Sequence, residues 1–237
     1  YDFDYFNKLK SKYISEGYDI LNLNMPVRGI NLINNLNMSF PVNPYKNILP
    51  NYDLKYSFNR TKKHNVYKYF YDSDYPEKTP LSLFLSGNYY LIKKIILMGD
   101  YNEVKIIGHS GGGLQSLYYM YLIPEIKSGY FSASFFTKTH RLDSTGGDWE
   151  HYYSEYILNE TYFNLLYGSL IDEKKGFSRK IILQFNSNDP SCCGYPYAEN
   201  FVGLTNKMSY DLNLNIKSVL IDSNSHKVNL ENLYKLF

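Results

Sequence analysis

The stretch Asn102-Glu103-Val104-Lys105-Ile106-Ile107-Gly108-His109-Ser110-Gly111-Gly112-Gly113 decides how the rest of the chain reads. Val104, Ile106 and Ile107 form a short β-branched run, which predicts a buried strand stopping at Gly108. From Leu114 the apolar spacing changes. Leu114, Leu117, Tyr118, Tyr121 and Leu122 recur at helical intervals, and Pro124 closes the segment. Gly108-His109-Ser110-Gly111-Gly112 therefore occupies a strand-to-helix corner.

A G-x-S-x-G pattern has chemical meaning at such a corner that it lacks elsewhere. Glycines on either side of the serine avoid Cβ clashes in a tight, strained turn. The turn pushes the Ser110 hydroxyl out over the end of the sheet. Helix N-terminal amides then surround it, and the Gly111 N–H is aimed to donate to a developing oxyanion. The competing interpretation is a plain glycine-rich turn, against which the strand before and the helix after both weigh.

Toward the N-terminus, Asp2 to Gly17 predicts a helix on Phe6, Leu9, Tyr13 and Ile14, with Gly17 at its C-terminus. Tyr18 to Met25 predicts a strand ended by Pro26. A helix that feeds directly into a core strand implies an earlier strand before Tyr1. Residues 26–85 are broken by Pro26, Pro41, Pro44, Pro50, Pro76 and Pro80 and read as a long insertion. Asn88 to Gly99 predicts the helix that leads into the corner strand.

Toward the C-terminus, Gly129 to Phe136 predicts a strand. Residues 137–178 lack a strand pattern, turn helical from Asp148, and read as a cap over the strand ends. Ser178 to Phe185 is a core strand running into the polar turn Asn186-Ser187-Asn188-Asp189-Pro190. Tyr195 to Leu212 is helical, with Phe201, Leu204, Met208 and Leu212 on one face. Asn215 to Ile221 is the last strand, followed by Asp222-Ser223-Asn224-Ser225-His226 and a closing helix from Val228.

This alternation, repeated five times along the chain, predicts one α/β domain over 1–237 without its first strands. Its sheet is doubly wound and mostly parallel, with helices on both faces. Ligands of such sheets sit outside the C-terminal strand ends. Ser110, Asp189 and His226 each follow a different strand there.

The composition narrows the function class. The chain has 237 residues, 44% of them hydrophobic, and a formal charge of +2, so it holds a full core without the basic excess that nucleic acid or an anionic membrane surface would attract. No apolar run reaches the roughly 20 residues that span a bilayer. Cys192 and Cys193 are adjacent and read as two free thiols. His64 reads as a solvated surface residue. No spacing of His, Cys, Asp and Glu marks a metal site, and no glycine-rich loop has the phosphate-binding form. No cofactor is expected, and the sequence carries no signal of oligomeric state.

On the G-H-S-G-G corner, the strand order and the order Ser, Asp, His, the chain resembles the α/β-hydrolase superfamily of serine esterases along nearly its whole length. The resemblance implies Ser110 as nucleophile, His226 as general base, Asp189 as the carboxylate that orients it, and Gly111 N–H as an oxyanion donor. It also implies an earlier strand and a His-Gly loop carrying a second donor. Neither is found from Tyr1 onward; either they lie upstream of Tyr1 or the donor comes from elsewhere, the stretch after Met25 being the available substitute. Asp222 is the rival acid. His109 and Trp149 are candidates for the substrate pocket, and His140 and His151 lie in the expected cap. The implied reaction is hydrolysis of a small ester through an acyl-enzyme, with thioester or amide behind it. The alternative is a catalytically inactive hydrolase-fold protein with a binding or structural role.

Overall fold

Because its connections run through helices, the sheet is parallel throughout. The structure, a computed structural model, describes residues 3–23, 80–134, 159–172, 176, 178–190 and 194–237. Among them are four strands: β1 (Val104–His109), β2 (Ile126–Ser132), β3 (Lys180–Asn186) and β4 (Ile216–Ile221). They pair in chain order, β1-β2-β3-β4, every pair parallel. The helices are α1 (Phe3–Ser15), α2 (Pro80–Met98), α3 (Gly111–Leu122), α4 (Asn159–Gly168), α5 (Tyr197–Asp211) and α6 (Leu230–Leu236). No helix among the described residues is long and apolar enough to cross a membrane.

Side-chain alternation along the strands builds two cores. On one face Phe131, Ile181, Leu183, Phe185 and Ile216 meet Leu117 and Met120 of α3, Ile123 just past its end, Leu166 of α4 and Phe201 of α5. The three crossover helices thus share a face, as successive right-handed crossovers in one direction require. On the other face Tyr130 and Ile182 meet Val228 and Leu233, with Leu9, Ile107, Tyr234 and Phe237 packed around them. Both faces are covered, as expected. The expected double winding is not seen among the described strands, because their order never reverses. The second face is closed by the two ends of the chain, α1 and α6.

Several boundaries differ from expectation for identifiable reasons. Tyr18–Leu23 joins no strand. Side chains tie it to the loop before β1 instead: Tyr18 Oη donates to Glu103 at 3.1 Å, and Tyr101 Oη donates to Asp19 at 3.2 Å. Pro80, read as part of the 26–85 insertion, opens α2, since proline fits the first helical turn, where no intrahelical acceptor is needed. β2 starts three residues before Gly129. Its pattern was obscured by Lys127, which faces out and pairs with Asp172 at 2.7 Å. The rest of the 26–85 insertion lies outside the described residues.

The range 137–178 is divided. Residues up to 158 lie outside the described residues, and what 159–172 shows is packing on the sheet rather than a cover over its end. This segment is the β2-to-β3 crossover, with Leu166, Ser169 and Leu170 fully buried against α3 and the sheet. It delivers the chain to Arg179, at the end of the sheet opposite Ser110.

Arg179 is itself a folding determinant. Its buried guanidinium donates to Ile126 O at 2.8 Å, to Met120 O, and to Ile123 O at 3.3 Å, so it closes the C-terminal end of α3. Burial lowers its pKa to about 10, which leaves it charged at neutral pH. Arg179→Met should therefore destabilise the protein by about 3 kcal/mol or more, because several buried carbonyls lose their donor at once. Urea denaturation of the two proteins side by side checks this; an unchanged midpoint would remove Arg179 from the account of the fold.

Candidate active site

Ser110 stands between β1 and α3 in a backbone conformation that L-residues rarely adopt, φ 55° and ψ −133°. Such a geometry typically costs on the order of 1–3 kcal/mol and persists only where the surroundings enforce it. Here they do. The Ser110 N–H donates to Ser132 O at 2.8 Å, and Ser110 O accepts from Gly113 N at 2.9 Å. A Cβ on Gly108 would lie 2.6 Å from both Gly113 Cα and Ser116 Oγ, and one on Gly113 would overlap the Ser134 side chain. Only glycine permits α3 to start this close to β1 and β2.

Asp189 and His226 arrive from the far side of the sheet. Asp189 follows β3 in a turn held by Asp189 N donating to Asn186 O at 3.3 Å, and His226 follows β4. His226 Nδ1 lies 2.6 Å from Asp189 Oδ2, and His226 Nε2 lies 2.9 Å from Ser110 Oγ. An ionised carboxylate only accepts, so Nδ1 carries the proton and Nε2 is left to accept from the Ser110 hydroxyl. The Asp189 side chain is 0% exposed and that of His226 24%. Asp189 is shut off from solvent, while His226 keeps access to it.

All three residues expected to act together are thus joined by two hydrogen bonds. Asp222 is not in the chain: it accepts from Ser187 Oγ at 3.2 Å in an exposed position. Gly111 is the first residue of α3, where backbone N–H groups have no intrahelical acceptor. Trp149, His140, His151, His64, Cys192, Cys193 and the stretch after Met25 that was expected to offer a second oxyanion donor lie outside the described residues. Among the described residues no three His, Cys, Asp or Glu side chains gather as metal ligands would.

His109 sits inside this cluster. Its ring centroid is 4.9 Å from that of His226, tilted by 51°. Its Nδ1 is buried without a hydrogen-bond partner, as are Ser132 Oγ, on the residue paired with His109 across β1 and β2, and Ser134 Oγ just beyond it. Burial first, and the neighbouring His226 second, hold its pKa down to about 4. His109 is therefore a neutral packing surface for His226 at physiological pH and not a second base.

Two further residues of the site escaped the sequence reading. The sequence places Gln184 within an apolar strand that ends at Phe185 and Asn186 at the start of a turn. Both are buried and bonded to the His226 loop. The available signal was two amides at i, i+2 spacing on a strand otherwise built of Ile, Leu and Phe.

No family model matches this chain, and no curated protein matches it.

His109 gives a pH test. A histidine whose folded value lies near 4 against 6.5 in the unfolded chain binds fewer protons when folded between those values. By linkage it contributes about 3 kcal/mol of stability that is present above pH 6.5 and lost as pH falls toward 4. In His109→Gln the difference in urea stability between about pH 7.5 and about pH 4.5 should shrink by roughly 2 kcal/mol. An identical pH slope in both proteins would show that His109 is not buried neutral.

Proposed function

We propose that this chain is a serine hydrolase of the α/β-hydrolase type, cleaving a carboxylic ester through an acyl-enzyme on Ser110. The observation that carries this reading is the continuous chain Ser110 Oγ–His226 Nε2 and His226 Nδ1–Asp189 Oδ2, built on a serine held at φ 55°. A merely structural serine has no need of a strained turn that presents its hydroxyl to an imidazole.

The chemistry follows from these atoms. Ser110 Oγ attacks the carbonyl carbon as its proton passes to His226 Nε2. The imidazolium is stabilised by the dry Asp189 carboxylate 2.6 Å away. Negative charge develops on the carbonyl oxygen beside the N-terminus of α3, where the Gly111 N–H and the helix dipole favour it. Collapse of the tetrahedral adduct breaks the ester C–O bond, and His226 returns the proton to the departing alcohol. Water then repeats the sequence, releasing the acid and restoring Ser110.

Ser110→Ala should abolish turnover of a short-chain aryl ester and labelling by a fluorophosphonate probe. Asp189→Asn should lower kcat by about 10⁴-fold, since the amide favours the wrong imidazole tautomer. Equal ester turnover in wild type and Ser110→Ala would exclude Ser110 from the mechanism. Absence of both turnover and labelling in wild type would favour a non-catalytic role for the fold.

Strain and function are coupled at this position. Ser110→Gly removes the hydroxyl and accepts φ 55° without steric penalty. It should be inactive yet more stable than wild type by about 1 kcal/mol, read from the denaturation midpoint. A loss of stability would mean that the turn is not strained.

A further inference from the structure

We propose that Asn186 and Gln184 are positioning residues that set His226 against Asp189 and Ser110. This rests on the hydrolase reading above and extends it to the residues that hold the base. The problem they solve is mechanical. His226 belongs to neither a strand nor a helix: residues 222–229 connect β4 to α6. A proton-transfer ring must nevertheless be held closely, because a displacement of about 1 Å costs on the order of 10²-fold in rate.

The two amides grip the backbone on both sides of it. Asn186 Nδ2 donates to Ser225 O at 2.6 Å and to Lys227 O at 2.9 Å, the carbonyls immediately before and after His226. Gln184 Nε2 donates to Lys227 O at 3.2 Å and to Asn186 Oδ1 at 3.1 Å. Gln184 Oε1 accepts from Asn229 N at 2.8 Å and from Tyr130 Oη at 2.8 Å. The network thus runs from β2 through β3 to the base loop.

Asn186 also reaches the acid. Its backbone carbonyl accepts from Asp189 N at 3.3 Å, so one residue anchors the acid turn through its main chain and the base loop through its side chain. That common anchor fixes the distance between the two loops.

Their burial makes the assignment specific. Gln184 is 0% and Asn186 1% exposed, on a strand whose other positions from Ile181 to Phe185 are apolar. Burying an unbonded amide costs roughly 1–3 kcal/mol in proteins, and apolar residues would fill these sites without that risk. Most of the bonds these amides make beyond their own strand fall on residues 225–229. A general requirement for core polarity does not account for that concentration.

The test compares wild type with Asn186→Leu, which keeps the side-chain shape and removes both donations. Two readings are taken. One is steady-state ester kinetics. The other is the far-downfield imidazole N–H proton resonance of the His226–Asp189 hydrogen bond, assigned by its loss in His226→Gln. Expected are a kcat lowered about 10- to 100-fold with KM within about twofold of wild type, and loss or broadening of the resonance. A folded Asn186→Leu with unchanged kcat and unchanged resonance overturns the proposal, as does a wild type with no such resonance. If Asn186→Leu does not fold, Gln184→Glu decides by the same readings, because it keeps both acceptor bonds and loses only the donations. If wild type shows no Ser110-dependent turnover, the hydrolase reading fails, while the resonance still decides whether the amides hold the ring.

Discussion

The site depends on the close approach of α3 to the ends of β1 and β2. There is no room for a Cβ at Gly108 or Gly113. The chain must turn from strand to helix within that space, and Ser110 takes the conformation that the turn imposes. The cost is offset elsewhere: Leu117, Met120 and Ile123 bury completely in the core beneath α3. A strained residue survives where a well-packed helix leaves it no alternative.

α3 is treated differently at its two ends. Its N-terminus, with positive dipole and unpaired N–H groups, begins directly after Ser110. Its C-terminus is closed by the Arg179 guanidinium, whose positive charge complements the negative end of the dipole. The crossover through α4 supplies that arginine. A single helix therefore offers a site for negative charge at one end of the sheet and a saturated structural joint at the other.

The second face adds the other half of the constellation. With its crossovers all on one side, the sheet relies on α1 and α6 to bury Tyr130 and Ile182. α6 matters twice, because docking Val228 and Leu233 also brings the loop before them over the end of β3. Helix packing brings His226 near. Hydrogen bonds from Gln184 and Asn186 tie its backbone, and Asp189 and Ser110 orient its ring. Neutral His109 supplies a flat neighbour for its ring.

Much of this was legible in one dimension. Periodicity located β1, β3, β4 and most helices, because a buried strand and an amphipathic helix repeat differently whatever surrounds them. The glycines of Gly108-His109-Ser110-Gly111-Gly112 marked the strained corner, since only a close backbone approach needs them in that order. Three residues following three strands pointed to one end of a parallel sheet. What sequence could not supply was anything set by contacts between distant segments. Tyr18–Leu23 looks like a strand but has no ladder to join. Part of the expected cap is a crossover helix, because parallel pairing of β2 with β3 demands one. Asp189 and Asp222 are equivalent as sequence, each an acid after a strand. Only packing decided that Asp189 is buried on the imidazole while Asp222 faces Ser187 near solvent. Gln184 and Asn186 acquire meaning only when residues some forty positions away fold over them. Local pattern determined the elements and the corner, while the pairing of Asp189 with His226 and the grip on the His226 loop were decided by tertiary structure, because hydrogen bonds between loops depend on distances that no local periodicity encodes.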